Sequence, residues 1–115
     1  MELPARGEVV IVLFPSSTRG ASKPRPALVL TSEGLGPKKS DFLVASITTQ
    51  VEDPLSIPIL PADFITGGLQ TTSYVRPSYL YAASTEILGA TIGKVQSQYI
   101  QRVVEAIKQL LDGSR

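Results

Sequence analysis

Short apolar runs cut by Pro, Gly and hydroxyl residues dominate the first 95 positions of this chain. Val9-Val10-Ile11-Val12-Leu13-Phe14, opened by Gly7-Glu8 and closed by Pro15, is β-branched and bounded by breakers, which predicts a buried strand. Residues 27–31 predict a second strand, residues 42–47 a third ending at Thr48-Thr49-Gln50, and residues 57–60 a short fourth. Pro58 cannot donate to a ladder, so this fourth strand is expected at an edge or a bulge. Residues 15–26 read as a loop rich in Ser, Gly and Pro, and residues 34–40 as a turn. One helical turn is expected over residues 61–66 before Gly67-Gly68, then a fifth strand over residues 72–76. Tyr79-Leu80-Tyr81 extends after Pro77, and residues 86–95 predict one or two short strands broken by Gly89 and Gly93. Closely spaced short strands indicate a small barrel rather than a parallel sheet.

The period then changes. Ile100, Val103, Val104, Ile107, Leu110 and Leu111 recur at steps of three and four, which predicts a terminal helix laid against one side of the barrel. Ser97 is the expected N-cap and Gly113 the expected stop. The chain holds 115 residues without a repeat or a dividing linker, so a single domain over 1–115 is expected.

Composition narrows the chemistry more than the fold. Hydrophobic residues at 43% and charged residues at 18% describe a globular chain. Eleven basic and ten acidic residues nearly cancel, so a binding site for polyanions would have to be a local patch. With neither His nor Cys, the usual general bases and thiol nucleophiles are missing, and a disulfide scaffold or thiolate metal site is excluded. Glu52-Asp53-Pro54 reads as turn chemistry, so no metal and no cofactor are expected. No apolar run reaches the roughly 20 residues of a membrane span, and no signal-peptide pattern opens the chain, which makes the cytoplasm the default location.

Three clusters carry candidate chemistry. In Lys23-Pro24-Arg25-Pro26, two prolines fix the backbone around one permanent cation, a good holder for phosphate or carboxylate; Arg19 lies in the same loop. The alternative is a solvated loop with scattered charges. In Ser46-Ile47-Thr48-Thr49-Gln50, hydroxyls and an amide gather at a strand end, where Thr48 either serves a reacting oxygen or ties off the adjoining turn. In Ser73-Tyr74-Val75-Arg76-Pro77, Tyr74 and Arg76 alternate onto one face, as a base-stacking platform or as a surface pair.

Taken in order, these segments resemble the MazF/PemK family of toxin-antitoxin endoribonucleases. The resemblance rests on Gly7-Glu8-Val9-Val10 with Phe14-Pro15, on Arg25-Pro26-Ala27 with its apolar run, on Ile47-Thr48-Thr49-Gln50, on Ser73-Tyr74-Val75-Arg76-Pro77, and on Ile92-Gly93-Lys94-Val95 before the terminal helix. It implies an SH3-like barrel, a homodimer, an antitoxin partner, and metal-independent cleavage of single-stranded RNA to a 2′,3′-cyclic phosphate and a 5′-hydroxyl. It also implies that Arg25 and Thr48 serve the reaction, with Arg19, Lys23, Gln50, Tyr74 and Arg76 along the RNA. Some family members carry an acidic residue or Gln shortly after the Arg76 position, or a His in the first loop; this chain has Ser78 and Tyr79, and no His. Two other readings share the architecture: a non-enzymatic topoisomerase inhibitor of the CcdB type, acting through an exposed apolar helix end, and a binding module without activity. With Leu110-Leu111 read as helix packing, Arg25 and Thr48 favour cleavage.

Overall fold

A computed structural model describes residues 3–15, 22–50 and 54–113. The strands are β1 (Glu8–Pro15), β2 (Ser22–Val29), β3 (Asp41–Thr48), β4 (Ile57–Ile59), β5 (Phe64–Gly67), β6 (Ser73–Ser84) and β7 (Leu88–Val95), with helix α1 (Ser97–Asp112) after them. They form one sheet in the order β4-β6-β3-β2-β1-β7-β5, antiparallel at each pairing. The sheet curls but keeps two ends, so the expected small barrel is a half-barrel. As Pro58 requires, β4 is an edge strand.

Alternation along the strands divides the apolar residues between the two faces of the sheet. On one face Val9, Leu28, Ala45, Ile47, Val75 and Val95 pack under α1, whose Tyr99, Ile100 and Val103 are buried. On the other, Val10, Val12, Ala27, Val29, Phe42, Val44 and Ala83 form a second cluster, with Tyr81, Ile87 and Leu88 at its margin. Both faces are thus apolar at mid-strand, which is why the sequence shows continuous runs there instead of clean alternation.

Several expected boundaries move. The segment read as a loop before residue 27 is strand: β2 begins at Ser22 and pairs with β1 through Pro26–Ile11, Arg25–Val12 and Pro24–Leu13. The prolines fit because of direction. The Leu30 N–H reaches the Leu43 carbonyl of β3, while the Val29 carbonyl accepts from Gly7 beside β1. By alternation, the blocked nitrogens of Pro24 and Pro26 turn towards β3, where the β2–β3 pairing has already ended at Ala27–Ser46. Instead of one helical turn, a 3₁₀ turn (Pro61–Asp63) leads directly into β5. Residues 88–95 form one strand, and Gly93 within it gives room to the Phe64 ring, which an added Cβ would meet at 2.7 Å.

The helix begins at Ser97 with Gln96 in the cap position, so Ser97 is not the N-cap; Gly113 ends it at φ 71°, as expected. The Gln96 side chain donates to the Ala62 carbonyl, and Arg102 pairs with Asp63 at 3.1 Å, which joins the helix start to the 3₁₀ turn. Leu110 and Leu111, expected to pack, are 41% and 80% exposed. Tyr99 does the anchoring the sequence pattern misses: its ring is buried and its hydroxyl donates to the Ile57 carbonyl of β4. Among the described residues no helix is long and apolar enough to cross a membrane.

Burial, reinforced by Asp63 and opposed by Arg102, pushes the Tyr99 phenol well above its ordinary range, and burial alone raises Tyr81 to about 12. A phenol raised in the folded state stabilises fully below its unfolded value and loses that contribution as pH climbs towards the folded value. Stability should therefore fall above about pH 10, by up to about 1.4 kcal/mol per pH unit for the Tyr99 phenol and by less for the more solvent-screened Tyr81. Urea midpoints between pH 8 and 11 test this. Tyr99→Phe should be less stable at pH 8, by about 1 kcal/mol for the lost hydrogen bond, and less sensitive to alkali; an unchanged slope would contradict the assignment.

Candidate active site

The diverging ends of β2 and β3 are where the candidate residues meet. Their pairing runs Val29–Val44, Leu28–Ala45, Ala27–Ser46 and there stops. Two residues beyond the last pair on each strand, and by alternation on the same face, come Arg25 and Thr48. The rigid Pro24-Arg25-Pro26 backbone remains paired to β1 and turns a proline flank to β3, so a ladder gives way to an opening. The cleft of about 430 Å³ on the opposite face, lined by Pro26, Thr49, Gly68–Thr71, Ser73 and Ile92, reflects the same parting of strands.

Across the next strands the row continues: Thr48 pairs with Tyr74, and Tyr74 with Pro58. Arg25, Thr48 and Tyr74 thereby share the face opposite the helix, at the end of the Phe42 cluster. Arg25 is exposed and Thr48 and Tyr74 are half-buried. Thr48 Oγ accepts a hydrogen bond from the Gln50 backbone N–H at 3.1 Å, so the hydroxyl does tie off the turn. This use and a chemical one are compatible. A hydroxyl that accepts from the backbone still has its own proton to donate outwards. Gln50 is exposed, and it touches the row through its backbone rather than its amide. Arg19 and the side chain of Lys23 lie outside the described residues.

Arg76 belongs to the same face but not as the alternation with Tyr74 suggests. Between the pairs Ala45–Leu80 and Ile47–Val75, β3 advances two residues and β6 five, a large bulge centred on buried Pro77. The surplus residues fold Arg76 against Tyr79, with the guanidinium carbon 3.4 Å from the ring centroid. The aromatic partner is therefore Tyr79 and not Tyr74. The signal for it is Pro77 inside an otherwise regular strand, which marks a bulge and shifts the register of the residues beyond it.

The Asp63 carboxylate is engaged by Arg102 and by the Leu60 N–H, while Glu52 and Asp53 lie outside the described residues. A permanent cation and a hydroxyl donor on facing strand ends can bind a tetrahedral anion from two sides. Such donors are most effective on an oxyanion that gains charge during reaction.

Comparison with known proteins agrees with the resemblance read from the sequence. The family of PemK-like, MazF-like toxins of type II toxin-antitoxin systems matches residues 5–111. No curated protein matches the chain. Among solved structures, the Mycobacterium tuberculosis toxin MazF-mt6 is similar at 27% identity and a TM-score of 0.69, over 91% of this chain and 96% of its own. A MazE–MazF structure from Deinococcus radiodurans reaches a TM-score of 0.76 at 18% identity, over 99% of this chain and 100% of that one. An endoribonuclease in complex with its cognate antitoxin from a mycobacterial species gives 0.67 at 19%, over 100% and 98%. With a family match spanning nearly its whole length and the same fold in these toxins, the chain belongs to the PemK-like, MazF-like toxins of type II toxin-antitoxin systems.

Proposed function

We propose that the protein is a ribonuclease that cleaves single-stranded RNA by internal transesterification. The observation that carries this reading is the placement of Arg25 and Thr48 at the parted ends of β2 and β3, one register step beyond Ala27–Ser46. The ribose 2′-hydroxyl gives up its proton to solvent as its oxygen attacks the adjacent phosphorus, the P–O5′ bond breaks, and the leaving 5′-oxygen takes up a proton from solvent, so the products are a 2′,3′-cyclic phosphate and a 5′-hydroxyl. Arg25 holds the non-bridging oxygens as their charge grows, and the Thr48 hydroxyl donates a hydrogen bond to one of them. The fixed guanidinium supplies the positive charge, so the step needs no metal. Gln50, Tyr74 and Arg76 line the path of the strand, with Arg19 and Lys23 on the approach.

The reading extends to partners. The protein acts in the cytoplasm as a homodimer and is held inactive by an antitoxin; two of the similar structures contain an antitoxin or MazE. An acidic, disordered antitoxin tail would compete for the same cationic row.

Thr48 gives the direct test. Wild-type protein with EDTA should cut a mixed single-stranded RNA, Thr48→Ser should retain most of the rate, and Thr48→Val should lose roughly 10²-fold or more. Equal rates for Thr48→Val and wild type would remove Thr48 from the mechanism.

A second reading draws support from the exposed Leu110 and Leu111, with Leu110 lining one cleft together with Leu55. An apolar helix end is what a CcdB-type topoisomerase inhibitor would present. Intact RNA together with inhibited topoisomerase would replace the ribonuclease reading with that one.

A further inference from the structure

Beyond the row that would hold the reacting phosphate, the structure assigns Tyr79 as a stacking platform for a nucleobase of the bound strand; this rests on the RNA reading above. Tyr79 alternates with Tyr81 and Ala83, which pair with Val44 and Phe42, so its ring stands on the same face as Thr48 and Tyr74. It lies in the bulge that faces Ser46, between the pairs Ala45–Leu80 and Ile47–Val75, and Ser46 is one two-residue step from Thr48. That step is roughly 7 Å along a strand, within reach of a base attached to a phosphate held in the row.

The ring is prepared on one side and open on the other. The Arg76 guanidinium covers one face at 3.4 Å, yet Tyr79 remains 52% exposed. The guanidinium packs on the ring and leaves about half of the residue accessible, which is the surface a base would use. Arg76 Nε is buried and has no hydrogen-bond partner among the described residues, so the guanidinium is seated by the stack rather than by a hydrogen bond at that nitrogen. A base landing on the outer face would complete a three-layer stack of guanidinium, phenol and nucleobase. The Pro77 bulge, which brings residues 76 and 79 together, is the local device that builds it.

Wild type, Tyr79→Ala and Tyr79→Phe are titrated into a fluorescein-labelled single-stranded RNA pool with 2′-fluoro riboses, which cannot supply the attacking oxygen. Tyr79→Ala should bind roughly 5- to 150-fold more weakly and Tyr79→Phe within about twofold of wild type. Tyr79→Phe should unfold at the wild-type urea midpoint and Tyr79→Ala only slightly below it, for the lost cation–π contact. A pool containing 2-aminopurine should be quenched by wild type and by Tyr79→Phe, and not by Tyr79→Ala. Binding by Tyr79→Ala as tight as wild type, or an equal loss in Tyr79→Phe, would overturn the platform. Wild type that binds the pool through Tyr79 but leaves ordinary RNA intact would keep the platform and overturn the ribonuclease; wild type that binds no RNA would overturn both.

Discussion

Arg25→Ala should lower the rate of RNA cleavage by roughly 10²- to 10³-fold, the loss found when one donor is taken from a developing oxyanion. Three observations lead to this size. Arg25 is exposed, so its guanidinium is available to a ligand. Its backbone is held by pairing with Val12 and by a proline on each side, so little conformational freedom remains to be lost at the main chain when the phosphate arrives. Thr48 stands one register step beyond Ala27–Ser46 on the facing strand, so the anion is approached from two strands. Arg25→Lys keeps the charge and loses the planar fork, and an intermediate rate is expected. Both variants should unfold at the wild-type urea midpoint, because Arg25 is exposed. A rate drop accompanied by a large fall in stability would mean that Arg25 acts through the fold.

Phe42→Ala should destabilise the protein by about 3–5 kcal/mol, the range for emptying a buried phenylalanine site. Phe42 is 1% exposed, pairs with Ala83 across the β3–β6 ladder, and is the largest side chain of the cluster facing away from the helix. Its direct cross-strand partner is the small Ala83, which cannot itself refill the space. Set against the 5–15 kcal/mol typical of a domain, this is a large share. Leu111→Ala, at an 80% exposed position, should change stability by less than about 0.5 kcal/mol. Urea unfolding of the two variants side by side decides the matter. Similar small losses in both would mean that the second cluster does not carry the fold.

The apolar runs of β1 and β3, the edge character imposed by Pro58 and the helix stop at Gly113 are all legible in the sequence, because each is decided by residues close along the chain. The failures share a cause. The segment around Arg25 reads as a loop since prolines usually end strands; which side of the strand their nitrogens face is set by the tertiary sheet order. Gly93 reads as a breaker, yet it is a strand residue that makes room for Phe64, a neighbour 29 positions earlier in the chain. Tyr79 escapes a two-residue alternation carried through Pro77 unchanged, because the bulge there cancels it. Leu110 and Leu111 continue the helical stripe of Val103 and Ile107 but extend past the sheet that buries it. For the candidate site, Arg25 and Thr48 are legible as types in a resembling order; that they stand on facing strand ends is information only the β2–β3 register holds.

The central claim concerns the bond that is broken and the groups left on its two ends. The most direct measurement is mass spectrometry of fragments from a mixed single-stranded RNA incubated with wild type and with Arg25→Ala, EDTA present throughout. The account predicts wild-type fragments ending in a 2′,3′-cyclic phosphate and beginning with a 5′-hydroxyl, and intact RNA with Arg25→Ala over the same interval. Fragments beginning with a 5′-phosphate, or equal cutting by both proteins, would contradict it.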